Sequence, residues 1–169
     1  MATGPRYSVP YKRKRENKTN YAKRLSAVKS ANPRLVVRKT NLRILAQIVK
    51  FEEKGDKTLV SASNINLKEY GLEKVPKNLV TSYLVGYLIG KLALKNKIKE
   101  AVLDIGLNIN TQGNRMFAVL AGAVKSGLKI PHDEKIFPSK ERLEGKHIKG
   151  FDAKIIEKVM SNIDSKVKA

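Results

Sequence analysis

The chain has 169 residues, enough for one domain with appendages, and carries a formal net charge of +20, from 35 Lys and Arg against 15 Asp and Glu. So basic a chain calls for a polyanionic partner, nucleic acid first, and the absence of cysteine excludes disulfides, zinc ribbons and thiol nucleophiles. No apolar signal run follows Met1, and the longest apolar stretch, Leu79–Leu94, is short of the roughly 20 residues of a membrane span, so a soluble protein without a membrane partner is expected.

The charge is uneven. Thirteen cations and one acid, Glu16, precede residue 44, so a quarter of the chain holds more than half of the net charge. Residues 1–32 read as an arm. Pro5, Pro10, the run Lys12-Arg13-Lys14-Arg15 and the lack of aliphatics before Leu25 leave too little apolar surface to offset conformational entropy. Tyr7, Tyr11 and Tyr21 are interleaved with these cations. Such tyrosines stack on bases or riboses while Arg and Lys meet phosphates, which favours an RNA-binding arm over a nonspecific tail. From Thr19 the pattern turns helical, with Tyr21, Leu25 and Val28 on one face and Lys23, Arg24 and Lys29 elsewhere.

Pro33–Phe51 reads as an antiparallel hairpin, its β-rich runs Leu35–Val37 and Ile44–Phe51 flanking the polar link Arg38–Arg43. The link has three cations and no acid. It is either a solvated turn or a phosphate contact, and a rigid turn loses less entropy on binding than a floppy tail. A second link, Glu52–Lys57, has turn chemistry at Gly55-Asp56 and net charge −1, and leads to a third strand, Thr58–Ser63. Successive turns fall at opposite ends of a meander. The sheet is therefore expected to have a polyanion end and an indifferent end.

Asn64–Pro76 reads as a loop with a turn at Tyr70-Gly71, and Lys77–Asn96 as a helix apolar around most of its circumference, hence buried on more than one side. Gly86 and Gly90 would let it lie close against the sheet. Ala101–Ile105 reads as a short buried strand, followed by a polar loop, Gly106–Gly113, and a helix, Asn114–Ser126, closed by Gly127. A strand, a Gly-bearing loop and a helix N-terminus make a general anion site, but the glycine order of a P-loop or dinucleotide site is absent. Arg115 sits where the helix dipole disfavours a cation, which suits a phosphate or protein contact. The remainder exits through Ile130-Pro131-His132, continues with a charged segment from Phe137-Pro138-Ser139, and ends after Gly150 in a helix. Asp152 is its expected N-cap, with Phe151 and Ile156 as a hydrophobic staple. Its apolar stripe, Ile155, Ile156, Val159, Met160 and Ile163, packs either on the protein's own core or on a partner.

The expected architecture is an α/β core at 33–130, with a basic N-terminal arm at 1–32 and a helical C-terminal appendage at 131–169. The order is a three-stranded antiparallel meander, helix, strand, helix, a ribonuclease-H-like βββαβα core. Enzymes of that fold hold two metal ions with several carboxylates, whereas the four strands here supply only Asp104. His132 and His147 are not at ligand spacing. No enzyme, cofactor or metal is expected.

Several motifs carry a resemblance. They are Gly4-Pro5-Arg6-Tyr7-Ser8-Val9-Pro10-Tyr11 with the basic run after it, Lys18-Thr19-Asn20-Tyr21, Pro33-Arg34-Leu35-Val36-Val37-Arg38-Lys39-Thr40-Asn41, Ala101-Val102-Leu103-Asp104-Ile105-Gly106-Leu107, Gly127-Leu128-Lys129-Ile130-Pro131-His132 and Gly145-Lys146-His147-Ile148. In this order they span essentially the whole chain. The chain resembles the ribosomal family that binds 5S rRNA, large-subunit protein eighteen in bacteria and archaea and protein five in eukaryotes; the length of the appendage looks archaeal. The resemblance implies a cytoplasmic, ribosomal protein bound to 5S rRNA in the central protuberance, its arm reaching the junction with 23S rRNA beside neighbouring large-subunit proteins. It carries over as RNA contacts the arm residues Arg6, Tyr7, Tyr11, Lys12, Arg13, Lys14, Arg15, Lys18, Thr19, Tyr21 and Arg24, and the hairpin residues Arg34, Arg38, Lys39, Thr40, Asn41 and Arg43. Ser61 and Ser63 of the third strand, and Asn114 with Arg115, follow. Leu42 departs from the expected polar or basic residue. The alternative is a general nucleic-acid-binding protein of the chromatin or RNA-chaperone type, which would bind DNA, tRNA and 5S rRNA alike.

Overall fold

The computed structural model describes residues 4–73, 75–148 and 154–168. The arm contains a single turn of helix, α1 (Lys12–Arg15), and a longer helix, α2 (Tyr21–Lys29), whose N-cap is Asn20, its side chain accepting the Lys23 N–H at 3.1 Å. Neither helix buries a residue. Tyr21 and Leu25 are exposed, so the apolar face read along α2 is not a packed one.

Four strands, β1 (Arg34–Lys39), β2 (Ile44–Lys50), β3 (Lys57–Ser63) and β4 (Val102–Asp104), form one open sheet in the order β3-β2-β1-β4. β2 runs antiparallel to both β1 and β3, and β4 parallel to β1. The register puts Leu35, Val37, Ile44, Ala46, Ile48, Val60 and Ala62 on one buried face, as a half-covered sheet of period two requires. The opposite face carries Arg34, Val36, Arg38, Gln47, Val49 and Asp104. A bulge beside Ile48/Val49 inserts Leu59 as an extra residue in β3. Arg38 and Lys39 belong to β1, so the link between the first two strands is only Thr40–Arg43.

Beyond β3, the expected loop contains a 3₁₀ turn, Ile65–Tyr70, that ends at Gly71 with φ 94°. Helix α3 (Leu79–Lys95) covers the buried face of the sheet and packs against α4 (Arg115–Lys125). Gly86 and Gly90 do not bring α3 close to the sheet, as expected, but close to α4. A Cβ on Gly86 would lie 1.9 Å from the Val119 carbonyl oxygen, one on Gly90 1.8 Å from Ser126 Oγ, and one on Gly122 of α4 2.0 Å from the Tyr83 carbonyl oxygen. The two backbones touch, which only glycine permits.

After a short helix, α5 (Lys140–Leu143), helix α6 (Lys154–Lys168) returns to the core. Ile156, Val159, Ile163 and Val167 are buried in the main cluster, and Asn162 Nδ2 donates to the Tyr70 carbonyl at 3.0 Å. Lys91 pairs with Asp164 at 2.9 Å, and the Tyr87 hydroxyl donates to the same carboxylate. The stripe is therefore covered by the protein's own core, which decides between the two readings of it. The expected N-cap Asp152, the staple residue Phe151 and the separator Gly150 lie outside the described residues. Among the described residues, no helix is long and apolar enough to cross a membrane.

Candidate nucleic-acid interface

The open face of the sheet is not an apolar surface in search of cover. A chain of charges crosses it. Arg34 donates to Asp56 at 2.7 Å and to Asp104 at 3.1 Å; Arg38 reaches Asp104 Oδ1 at 3.1 Å and the Asp104 carbonyl at 2.8 Å; and Arg24 of α2 grips Asp56 through both terminal nitrogens at 2.9 Å. The order is Arg24–Asp56–Arg34–Asp104–Arg38. Arg34 is 3% exposed, and its Nε is buried without a partner. Its guanidinium is committed to the two carboxylates and has no free edge for a phosphate. Arg38, 42% exposed, is the open end of the chain on the sheet. Gly106 makes room for it: φ there is +65°, a Cβ would stand 2.9 Å from Arg38 Cζ, and the Gly106 N–H donates to Asp104 Oδ1 at 2.8 Å.

Burial on its own would raise the Asp56 carboxyl. Hydrogen bonds from Arg24 and Arg34, with their charges, outweigh it and hold the group below the ordinary aspartate range. The link Glu52–Lys57, expected to be indifferent, is thus the point at which the arm meets the sheet. Between α2 and the open face lies a cleft of about 620 Å³, lined by Arg13, Lys18, Thr19 and Lys23 from the arm and by Val36, Gln47 and Gly106 from the core.

Within the arm, Arg6, Tyr7, Tyr11 and the run Lys12–Arg15 are exposed. Tyr11 and Tyr21 lie ring to ring at 5.3 Å, and Arg13 Nε donates to Thr19 Oγ1 at 2.9 Å, so four of the expected contacts also shape the bend between α1 and α2. Lys18 pairs with Glu16 at 2.8 Å. At the far end of β1, Thr40 closes the turn: its N–H donates to the Arg43 carbonyl at 2.8 Å and its Oγ1 accepts the Arg43 N–H at 3.0 Å. The Asn41 carbonyl accepts from Lys77 Nζ at 2.8 Å. Lys39, Arg43 and Leu42 remain exposed, Leu42 at 82%.

Asn114 is the N-cap of α4, accepting from the N–H groups of Met116 and Phe117 at 2.9 and 3.0 Å, and Arg115 Nη1 donates to the Lys77 carbonyl at 3.0 Å. Both residues fasten α4 and the approach to α3. Ser61 is exposed on β3, whereas the Ser63 hydroxyl donates to Asn66 Oδ1 at 2.8 Å. Sequence reasoning missed Asp56 and Asp104 as partners of the arginines. The signal available was the i, i+2, i+4 placement of Arg34, Val36 and Arg38 on one strand face, which requires acids on neighbouring elements if the face is covered.

A cationic arm and a cationic hairpin borne on a mixed α/β core are the features of a nucleic-acid-binding protein. A family model described as ribosomal large subunit proteins 60S L5 and 50S L18 matches residues 5–101 and 95–133. The chain is 46% identical over 154 residues to large ribosomal subunit protein uL18 of Methanoregula boonei, covering 91% of this chain and 88% of that one. It is 45% identical to the proteins of the same name from Haloarcula marismortui, covering 95% and 86%, and Methanoculleus marisnigri, covering 98% and 94%. The chain belongs to this ribosomal large-subunit family, and its relatives here are archaeal. It is a structural constituent of the large ribosomal subunit, hence cytoplasmic and not an enzyme, with rRNA and ribosomal proteins as its partners.

Proposed function

We propose that the chain binds 5S rRNA and helps attach it to 23S rRNA in the central protuberance, next to neighbouring large-subunit proteins. The observation that carries this reading is the exposure of the arm cations Arg6 and Lys12–Arg15 and of the hairpin cations Lys39, at the end of β1, and Arg43, in the turn, free of the acids that neutralise Arg34. Tyr7, Tyr11 and Tyr21 supply stacking surfaces beside them, and single-stranded or looped RNA offers bases to stack. In this reading Lys18, Arg24, Arg38, Asn41 and Ser61 contact RNA at the margins, whereas Arg34, Thr40, Ser63, Asn114 and Arg115 hold the surfaces in place. Residues 1–32 act as the arm, 33–130 as the core and 131–169 as an appendage whose last helix supports that core. The core is read here as ribonuclease-H-like, on the antiparallel run of β1, β2 and β3 with β4 parallel to β1.

The test is a titration of labelled 5S rRNA at near-physiological salt with excess tRNA as competitor. Binding that survives the competitor is expected. Binding that vanishes would replace this reading with that of a general nucleic-acid binder. The Arg43→Ala variant should weaken 5S rRNA binding by about tenfold with an unchanged Tm, since a charge-assisted phosphate contact contributes about 1.5 kcal/mol and the side chain is exposed.

A further inference from the structure

We propose that Asp56 is a positioning residue for RNA binding, an acidic latch that docks the arm helix on the open face of the sheet before RNA arrives. The inference rests on the RNA-binding reading above for its purpose, but its geometry stands by itself. Helix α2 has nine residues and buries none of them, with Leu25 57% exposed. A helix so short does not persist alone in water. It is joined to β1 by only Ser30–Pro33, with Ala31 in the left-handed region at φ 57°, so the arm folds back over the sheet it precedes. What fastens it there is the two-pronged Arg24–Asp56 pair at 2.9 Å. Asp56 is in turn held from below by the buried Arg34 at 2.7 Å, so the latch has a fixed base and a movable arm.

The consequence runs against simple electrostatics. An acid on a surface that meets a polyanion repels it, and its removal should tighten binding. If Asp56 instead holds the arm in its binding shape, removal makes the RNA bear the cost of ordering that segment, and binding weakens. The two accounts differ in sign.

The experiment compares wild type with Asp56→Asn, Asp56→Glu and Arg24→Gln, the last opening the latch while leaving Arg34 its partner. Amide hydrogen exchange in the free, full-length protein reads the docking of α2, and titration of 5S rRNA reads its use. Asp56→Asn and Arg24→Gln should each speed exchange across Leu25–Lys29 by about fivefold with core amides unchanged. Asp56→Asn should also weaken 5S rRNA binding by about fivefold, and Asp56→Glu should restore both. Unchanged exchange in both opened variants overturns the latch. Faster exchange with unchanged or tighter RNA binding overturns the positioning role. If wild type shows no preference for 5S rRNA over tRNA, the functional reading falls and the positioning role with it, while exchange still reports the docking.

Discussion

Arg34 and Arg38 lie four residues apart on one face of β1, and their surroundings divide them. Arg34 sits beneath the arm, bonded to Asp56 and Asp104; Arg38 reaches the same Asp104 from a half-exposed position. Removing a buried cation takes one of two partners from each of two partly buried acids, whereas removing an exposed one leaves a carboxylate that water can solvate. Arg34→Ala should therefore cost about 2 kcal/mol, part of the loss being relieved because each acid retains a second arginine, and Arg38→Ala less than about 1 kcal/mol. Urea unfolding at constant m value measures both. Equal costs would mean that the arm does not seal Arg34 from water. Neither role is readable from the residue type, since the two arginines look alike in the chain and differ only in what lies above them.

The largest packing contact between elements is the crossing of α3 and α4, and it depends on glycine on both sides. A methyl at Gly86 meets the backbone carbonyl of Val119, which cannot rotate away, so the helices must part. Gly86→Ala should destabilise by about 3 kcal/mol, the upper part of the usual range for overpacking, despite the better helix propensity of alanine. A thermal melt decides it: an unchanged or higher Tm would show that the helices have room to separate. The apolar run of Leu79–Lys95 was enough to identify a buried helix, because one that is apolar all round must be covered on several sides. Which neighbour covers it was not, since close approach to a sheet and to a helix both favour small residues. The same holds for α6, whose stripe of Ile156, Val159 and Ile163 was plain and whose cover was not.

Taken whole, the molecule separates a neutralised centre from a cationic periphery. The acids Asp56 and Asp104 are paired with Arg24, Arg34 and Arg38 at the open sheet face, so in the proposed reading the charge left to meet RNA is that of the arm run, Lys39 and Arg43. Each phosphate neutralised releases counterions and steepens the fall of affinity with salt. Replacing Lys12, Arg13, Lys14 and Arg15 together by alanine should flatten the slope of log affinity against log salt by roughly 3, with little change in Tm because α1 buries nothing. Affinities at several KCl concentrations measure the slope. No flattening would remove this run from the interface.

The amino-acid sequence by itself determined the uneven distribution of charge, the mixed α/β class with its main strands and helices, and the family. Those features are local: alternation makes Leu35 and Val37 face one way, an unbroken apolar run marks α3 and a period near four marks α6, and the motifs stand in order along the chain. Tertiary structure decided which acid meets which arginine. Asp56 and Asp104 reach Arg34 across 22 and 70 residues, and Arg24 reaches Asp56 across 32. No local pattern records such pairings, because they follow from strand register, the parallel placement of β4 beside β1, and the fold-back of the arm at Ala31. For that reason an exposed cation and a buried one looked alike until the sheet was assembled.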